Sequence, residues 1–303
     1  MKEKNKKIKI SIISIIIVTI VTIVSILGII YQKYNNGVVL TQMHDNSPRQ
    51  MMGYVMQTKN KTIVIDGGLK EDSENLQNKI KECGNKVDVW FLTHPHMDHV
   101  QAFLDIAENT NIQIDKIYAT YNDLDWYKQN ETSRIEEIEN FFKVIESEKI
   151  KNKVEQVQLN EKINIENIKC EILGIKNPEI TNNPINNSSM VIKMKINDKS
   201  LLFLGDTGKE SGEKLLKNQG DKLKSDIVQM AHHGQSGVDE DVYQKIDPQI
   251  CLWPTPKWLW DNDPGTGYNT GKWTTIETRS WMEKLGVKTN YIEKDGDISF
   301  RIW

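Results

Sequence analysis

The sequence predicts a layered α/β domain preceded by one membrane-spanning helix, and three observations carry that prediction. Along residues 38–303, short runs rich in Val, Ile, Phe and Trp alternate with longer polar stretches of helical period. Strands and helices in such mixed order suit packed sheets flanked by helices rather than a helical bundle. No repeat at the 20–50-residue scale interrupts the alternation. Residues 10–30 (ISIISIIIVTIVTIVSILGII) hold no charge, and 15 of these 21 residues are Ile, Leu or Val. That run meets the ~20 residues needed to cross a bilayer.

The chain divides accordingly into four parts. Residues 1–9 carry Lys2, Lys4, Lys6, Lys7 and Lys9 against Glu3, a net +4. By the positive-inside rule they form a cytoplasmic N-terminus, with 10–30 as a signal-anchor in the membrane and everything beyond outside. Residues 31–37 read as a linker and 38–303 as one domain. Secretion after signal cleavage is the alternative; it fits less well, because signal peptides have apolar cores of ~7–15 residues. The formal charge of the whole chain is −3, which leaves −7 for residues 10–303. Cys83, Cys170 and Cys251 stand far apart without a C-x-x-C, so they offer no disulfide framework and read as buried thiols.

Within the domain, strands are expected at 38–43, 51–58 and 61–65, then a helix near 72–83 and a buried strand at 87–92. A helix at 100–108 and a strand near 114–119 follow. The polar and aromatic stretch 121–133 reads as an insertion before a charged helix from 134 to about 150. Short strands near 153–158, 162–166 and 168–175 precede a loop rich in Asn and Pro. A hairpin pairs 190–196 with 201–204 across Asn197-Asp198. A helix near 209–218, a strand at 226–230, a helix near 239–246 and a strand at 249–253 come next. A tryptophan-rich loop (253–273), a helix near 274–285 and two terminal strands complete the chain.

Five of the six histidines fall in two tight groups. At that frequency, chance places three histidines in the first pattern only about 0.002 times per chain. His94-x-His96-x-Asp98-His99 leaves a strand end, where alternate residues converge on one ion and the Asp-His pair one turn later faces a second. Imidazole and carboxylate suit a borderline divalent cation: Zn²⁺, with Mn²⁺ as the alternative. Pro95 stiffens the loop by restricting itself and His94. Two ions ~3.5–4 Å apart need a bridging carboxylate, and Asp206, after the apolar run Leu201–Leu204 and Gly205, is placed to supply it. His232 and His233 also follow an apolar strand. One is expected to bind metal and the other to face substrate as proton donor or oxyanion stabiliser. Asp66, in Ile65-Asp66-Gly67-Gly68, is expected to hold a ligand or the loop, with a plain turn aspartate as the alternative.

Together and in this order, the strand-Asp66-Gly-Gly, His94-x-His96-x-Asp98-His99, Gly205-Asp206 and His232-His233-Gly234 elements resemble the metallo-β-lactamase superfamily. The resemblance implies a four-layered αββα sandwich with the metals at one edge. It implies that His94 and His96 hold one ion, Asp98 and His99 a second, that Asp206 bridges, and that His233 completes the second ion, with His232 as the alternative. A hydroxide between the ions would be the nucleophile. One departure stands out: the superfamily usually adds a histidine before Gly-Asp, and none lies between His99 and His232. Asn186-Asn187-Ser188-Ser189-Met190-Val191 occupies that place and resembles the extracytoplasmic domain of ComEC-type competence proteins. Asn187 or a water is left to complete the first site, and working with one ion stays open. Pneumococcal-type phosphorylcholine esterases are similar at the last two motifs. Relatives with the Asn-Ser pattern imply phosphodiester cleavage.

The expected activity is therefore hydrolysis of a small-molecule or cell-envelope phosphoester. Nucleic acid is disfavoured as a partner by the −7 beyond the N-terminus, since Lys and Arg supply affinity for phosphates; an extracytoplasmic nuclease and a non-enzymatic binding protein are the alternatives. Trp253, Trp258, Trp260 and Trp273, beside Asp261 and Asp263, are candidate substrate-binding residues. They suit a quaternary ammonium, a base or a sugar, and plain packing of a long loop is the alternative.

Overall fold

The computed structural model describes residue 15, residues 17–28 and residues 36–303. Two seven-stranded sheets face each other. The first runs in the order β14 (Ile298–Ile302), β1 (Val38–Gln42), β2 (Gly53–Gln57), β3 (Thr62–Asp66), β4 (Lys86–Leu92), β5 (Gln113–Ala119), β6 (Val154–Gln156). The second runs β13 (Thr289–Ile292), β12 (Ile250–Trp253), β11 (Ile227–Gln229), β10 (Lys199–Phe203), β9 (Val191–Ile196), β8 (Ile168–Gly174), β7 (Lys162–Ile165). β3 to β6 are parallel to one another, as are β10 to β13, whereas β1, β2 and β7 to β9 pair antiparallel with their neighbours.

The period-2 alternation of the strands sorts side chains into three cores. Ile63 and Ile65 of β3, Val89 and Phe91 of β4, and Leu201 and Phe203 of β10 fill the space between the sheets. Tyr54 and Phe203 meet there edge to face, 5.1 Å apart. Val64, Trp90 and Leu92 point the other way, against α1 (Ser73–Glu82), α2 (Met97–Asn109) and α4 (Ile135–Ile145). Leu202 and Val228 pack against α5 (Lys209–Gln219), α6 (Glu240–Ile246) and α8 (Thr275–Lys284), the short α7 (Lys257–Trp260) falling between the last two in sequence. Strands buried on both faces read as unbroken apolar runs, which is why VDVWFL and LLFL were legible. Four layers, helix–sheet–sheet–helix, result.

Three elements differ from expectation. The 121–133 insertion holds a helix, α3 (Leu124–Asn130), capped by Asp123, whose side chain accepts from Trp126 N at 2.8 Å. The helix expected to reach about 150 ends at Ile145, where a turn closed by Ile150 N to Ser147 O takes over. α2 starts at Met97 rather than Val100, so Asp98 and His99 sit in its first turn. Residues 17–28 are helical with exposed side chains. Among the described residues no helix is long and apolar enough to cross a membrane. The rest of the expected 10–30 span, the stretch 1–9 expected to be cytoplasmic, and residues 31–35 of the expected linker lie outside the described residues.

Candidate metal centre

The carboxyl ends of β3, β4, β10 and β11 meet at one edge, and each delivers a ligand-type side chain. Asp66 ends β3 at φ +54°. Its Oδ1 accepts from Thr93 N at 2.7 Å, and its Oδ2 accepts from the Thr93 hydroxyl at 2.6 Å and meets His99 Nδ1 at 2.7 Å. The carboxylate thereby fixes the Nδ1–H tautomer of His99 and frees Nε2. His94 follows β4. Its Nδ1 lies 3.1 Å from the Thr93 hydroxyl and 3.2 Å from Ser189 Oγ. Its Nε2 faces His96 Nδ1 at 3.1 Å.

Gly205, just past β10, has φ +57°, and an added Cβ would lie 3.0 Å from Ser189 Cβ and 3.2 Å from Thr93 Cβ. Only glycine brings the chain through there. Asp206 then sits in the middle: His99 Nε2 is 3.3 Å from its Oδ1, while His233, His94 and His232 Nε2 lie 3.6, 3.8 and 3.9 Å from its Oδ2. His232 and His233 are consecutive residues in the left-handed region, at φ +50° and +57°. That conformation costs roughly 1–2 kcal/mol per residue. It is held by His232 N to Gly205 O at 3.1 Å and by the Thr255 hydroxyl to His233 O at 2.7 Å. His233 Nδ1 donates to Pro254 O at 2.8 Å, which aims its Nε2 at Asp98 Oδ2, 3.2 Å away.

The donor set fits divalent metal. His99 Nε2, His233 Nε2 and Asp206 Oδ1 are buried without any hydrogen-bond partner. Two groups, His94–His99–Asp206 and Asp98–His99–His233, each bring their ligand atoms within 4.8 Å of one another. Buried polar atoms are otherwise almost always paired, so convergence of three unpaired ones on shared points marks cation sites.

Residues 48–248 match the sequence profile of the metallo-beta-lactamase superfamily. The chain belongs to that superfamily. It is 28% identical over 100 residues to ComE operon protein 3 of Bacillus subtilis (strain 168), a match that covers 33% of this chain and 12% of that protein. Among solved structures, the metallo-beta-lactamase fold protein YhfI from Bacillus subtilis superposes with a TM-score of 0.52 at 11% identity, over 88% of this chain and 100% of its own. Zn²⁺-bound PqqB from Methylobacterium extorquens superposes at 0.51 and 10% identity, over 87% and 99%. These likenesses establish a shared fold.

In this metallo-beta-lactamase fold protein the sequence-nominated ligands His94, His96, Asp98, His99, Asp206 and His233 come together. His232 stands at the solvent side of the same centre, with Nε2 3.2 Å from Asn186 Nδ2 and Nδ1 3.3 Å from Ser236 O. Asn187 does not. Its Oδ1 accepts from Ser211 N and Oγ, and its Nδ2 donates to Asn182 O and Glu210 Oε2. Asn187 therefore pins the start of α5 and is no ligand. The neighbours Asn186 and Ser189 face the centre in its stead. They were missed because a run of two asparagines and two serines gives no cue to which one turns inward. Thr93 and Pro254 were missed as well; only their position next to a ligand strand end signals them.

The tryptophans also divide. Trp253 is buried, donates to Asn290 Oδ1 at 2.8 Å and packs edge to face on Trp260. Trp260 is covered by the Arg279 guanidinium, 4.1 Å from its ring centre. Both pack structure, contrary to the substrate-binding expectation. Trp258 and Trp273 meet at 4.7 Å and line an open cavity of about 620 Å³ with Pro48, Lys257 and Asp263.

The electrostatics follow from burial and crowding. Burial pushes His94 well below the ordinary histidine range and His96 down to about 4. Burial alone would raise Asp206 and Asp98, but His99 and His233 hold both carboxylates below their ordinary range. Burial alone would lower His99 and His233, but Asp206, with Asp66 beside His99 and Asp98 beside His233, raises both. The shifts on His99 and His233 favour their protonated forms, so a divalent cation would compete with protons for the same atoms.

Proposed function

We propose that this chain is a membrane-anchored, outward-facing metal-dependent hydrolase that cleaves a phosphodiester or phosphate ester. The convergence of unpartnered His99 Nε2, His233 Nε2 and Asp206 Oδ1 carries the hydrolase reading. His94, His96 and Asp206 would hold one ion, and Asp98, His99, His233 and Asp206 the other. Divalent ions there would make bound water acidic and neutralise charge on phosphoryl oxygens.

The chain's own residues supply the rest. Asp66 and Thr93 lock the His99 ring, and the Pro254 carbonyl locks His233. His232, partly exposed at the mouth with Nε2 turned toward Asp206, is the side chain to protonate a leaving oxygen. With no further histidine, three protein ligands leave the first ion an open position for substrate, as catalytic sites require. A shared carboxylate at Asp206 and the Asn-Ser segment support phosphoester over β-lactam substrates. The exposed Ile15, Ile17, Val18, Ile20, Val21 and Leu27, following the lysine-rich N-terminus, support the anchor.

The test is metal content, hydrolysis and topology measured on the full chain purified in detergent without chelator. Two ions per chain with turnover of a chromogenic phosphodiester or phosphocholine ester is expected. Turnover of a β-lactam alone would overturn the substrate class, and preference for DNA would favour the nuclease. Protease access to residues 38–303 from outside spheroplasts is expected; protection there would overturn the orientation.

A further inference from the structure

A basic surface lies on the outer face of the second sheet and extends, through Lys169 and Lys195, toward the strand ends opposite the metal edge. On the outer face of β7, β8 and β9, Lys162, Lys169, Lys193, Lys195 and Lys222 line a cavity of about 330 Å³ with Glu171. Lys193 donates to the Lys222 and Lys224 carbonyls, and Lys222 to Glu171. Lys162, Lys169 and Lys195 are exposed and make no ion pair among the described residues. Lys169 stands directly opposite Lys195 across the β8–β9 ladder. Like charges so paired destabilise a sheet, and this patch sits in a chain of net negative charge.

Where the N-terminal segment joins the domain decides what this surface meets. Asn36 O accepts from Asn167 Nδ2 and from Asn197 Nδ2 at 3.2 Å, so the turns after β7 and β9 grip the incoming chain. A Cβ on Gly37 would lie 3.1 Å from Arg301 Cδ and Trp303 Cε3. Trp303 is 40% exposed with the Arg301 guanidinium 5.2 Å from its ring centre. Tryptophan beside a cation suits the headgroup level of a bilayer. From Gly28, the last described residue of the exposed apolar run, Asn36 is eight residues on, a separation of at most about 29 Å for a fully extended chain. Asn197 precedes β10 and Asp206 follows it, so the gripped turns and the metal edge lie at opposite strand ends.

We propose that the Lys162–Lys169–Lys195 face and the Arg301–Trp303 corner dock on an anionic lipid headgroup surface, holding the metal edge away from the membrane. This rests on the membrane-anchored reading above. The docked face gives the hydrolase a fixed orientation rather than a swinging tether.

The test is lysine acetylation footprinting of the full chain in nanodiscs of phosphatidylcholine alone or with phosphatidylglycerol. Each basic residue at an anionic surface gains about fivefold in occupancy. Lys162, Lys169 and Lys195 should therefore react several-fold more slowly in the phosphatidylglycerol discs, and high salt should erase the difference. Lys257, beside the tryptophan loop, should react equally in both. In Lys169→Glu/Lys195→Glu, protection of Lys162 should disappear while phosphodiester turnover in detergent persists. Equal rates in both discs, with the chain embedded, would overturn docking and leave the anchor intact. Protection by DNA but not by phosphatidylglycerol would reassign the surface to nucleic acid. Failure of the chain to enter discs would overturn the anchor and, with it, this partner.

Discussion

The metal edge and the tryptophan-rich loop both attracted notice as sequence, yet folding treats them oppositely. At the edge, the His99, His94 and His233 rings are held from behind by Asp66, Thr93 and Pro254, and His99 Nε2 and His233 Nε2 face Asp206 and Asp98 without a hydrogen-bond partner. In the loop, groups find partners within the loop or its support: Trp253 with Asn290, Trp260 with Arg279, Lys257 with Asp261, Asp263 with the amides of Gly265 and Gly267. Trp258 Nε1 is the one buried side-chain polar atom within residues 253–273 without a partner among the described residues. What separates a site from a packed loop here is convergence: several buried polar atoms left unsatisfied around one point.

The largest effect should come from the residue in the middle. Asp206→Ala removes the carboxylate within 4 Å of four histidines. Turnover should fall beyond the ~10²–10³ typical of one lost oxyanion-hole donor, and metal content should fall with it. Asp98→Ala and His99→Ala should behave alike; a metal-analysed Asp98→Ala protein that still turns over would break the two-ion account. His232→Ala should lower turnover by about 10²–10⁴ with metal content largely kept. The reverse pattern, measured by metal analysis beside kinetics, would exchange the roles of His232 and His233.

Asp66→Asn keeps the fold but weakens the hold on His99, and metal affinity should drop about 10–100-fold, read by competition with a chromophoric chelator. Stability against pH sharpens the same comparison. His94 and His96 sit below the ordinary 6.5, so in chelated protein their contribution is lost as pH falls from 6.5 toward 4. His99 and His233 sit above 6.5, so their contribution is present below 6.5 and lost as pH rises. Thermal denaturation of chelated protein should therefore peak near pH 6.5; a steady rise through pH 8 would contradict it. Smallest, Asn187→Ala should cost about 1–3 kcal/mol by stranding the Ser211 donors, leaving metal content unchanged.

The residues that were legible in sequence are those whose type alone restricts their role. Strands of the central layers announced themselves as apolar runs because both faces are buried, and His94, His96, Asp98, His99, Asp206 and His233 because histidine is scarce here and follows strand ends. Legibility failed where several similar residues stand side by side. Asn187 was preferred over Asn186, but the short helical turn at Asn186–Ser188 directs Asn187 to α5 and Asn186 to His232. Polar composition hid α3, whose only signal was Asp123 three residues before Trp126. Trp253 and Trp260 could not be told from binding residues, since burial of an indole depends on contacts with Asn290 and Arg279, distant in sequence.

The central claim is that His94, His96, Asp98, His99, Asp206 and His233 form one metal centre. Inductively coupled plasma analysis of the chelator-free full chain beside its Asp206→Ala variant tests it most directly. Two divalent ions per chain, both weakened or lost together in the variant, is the predicted result. No bound metal in the parent protein, or a variant that keeps its full complement, would contradict it.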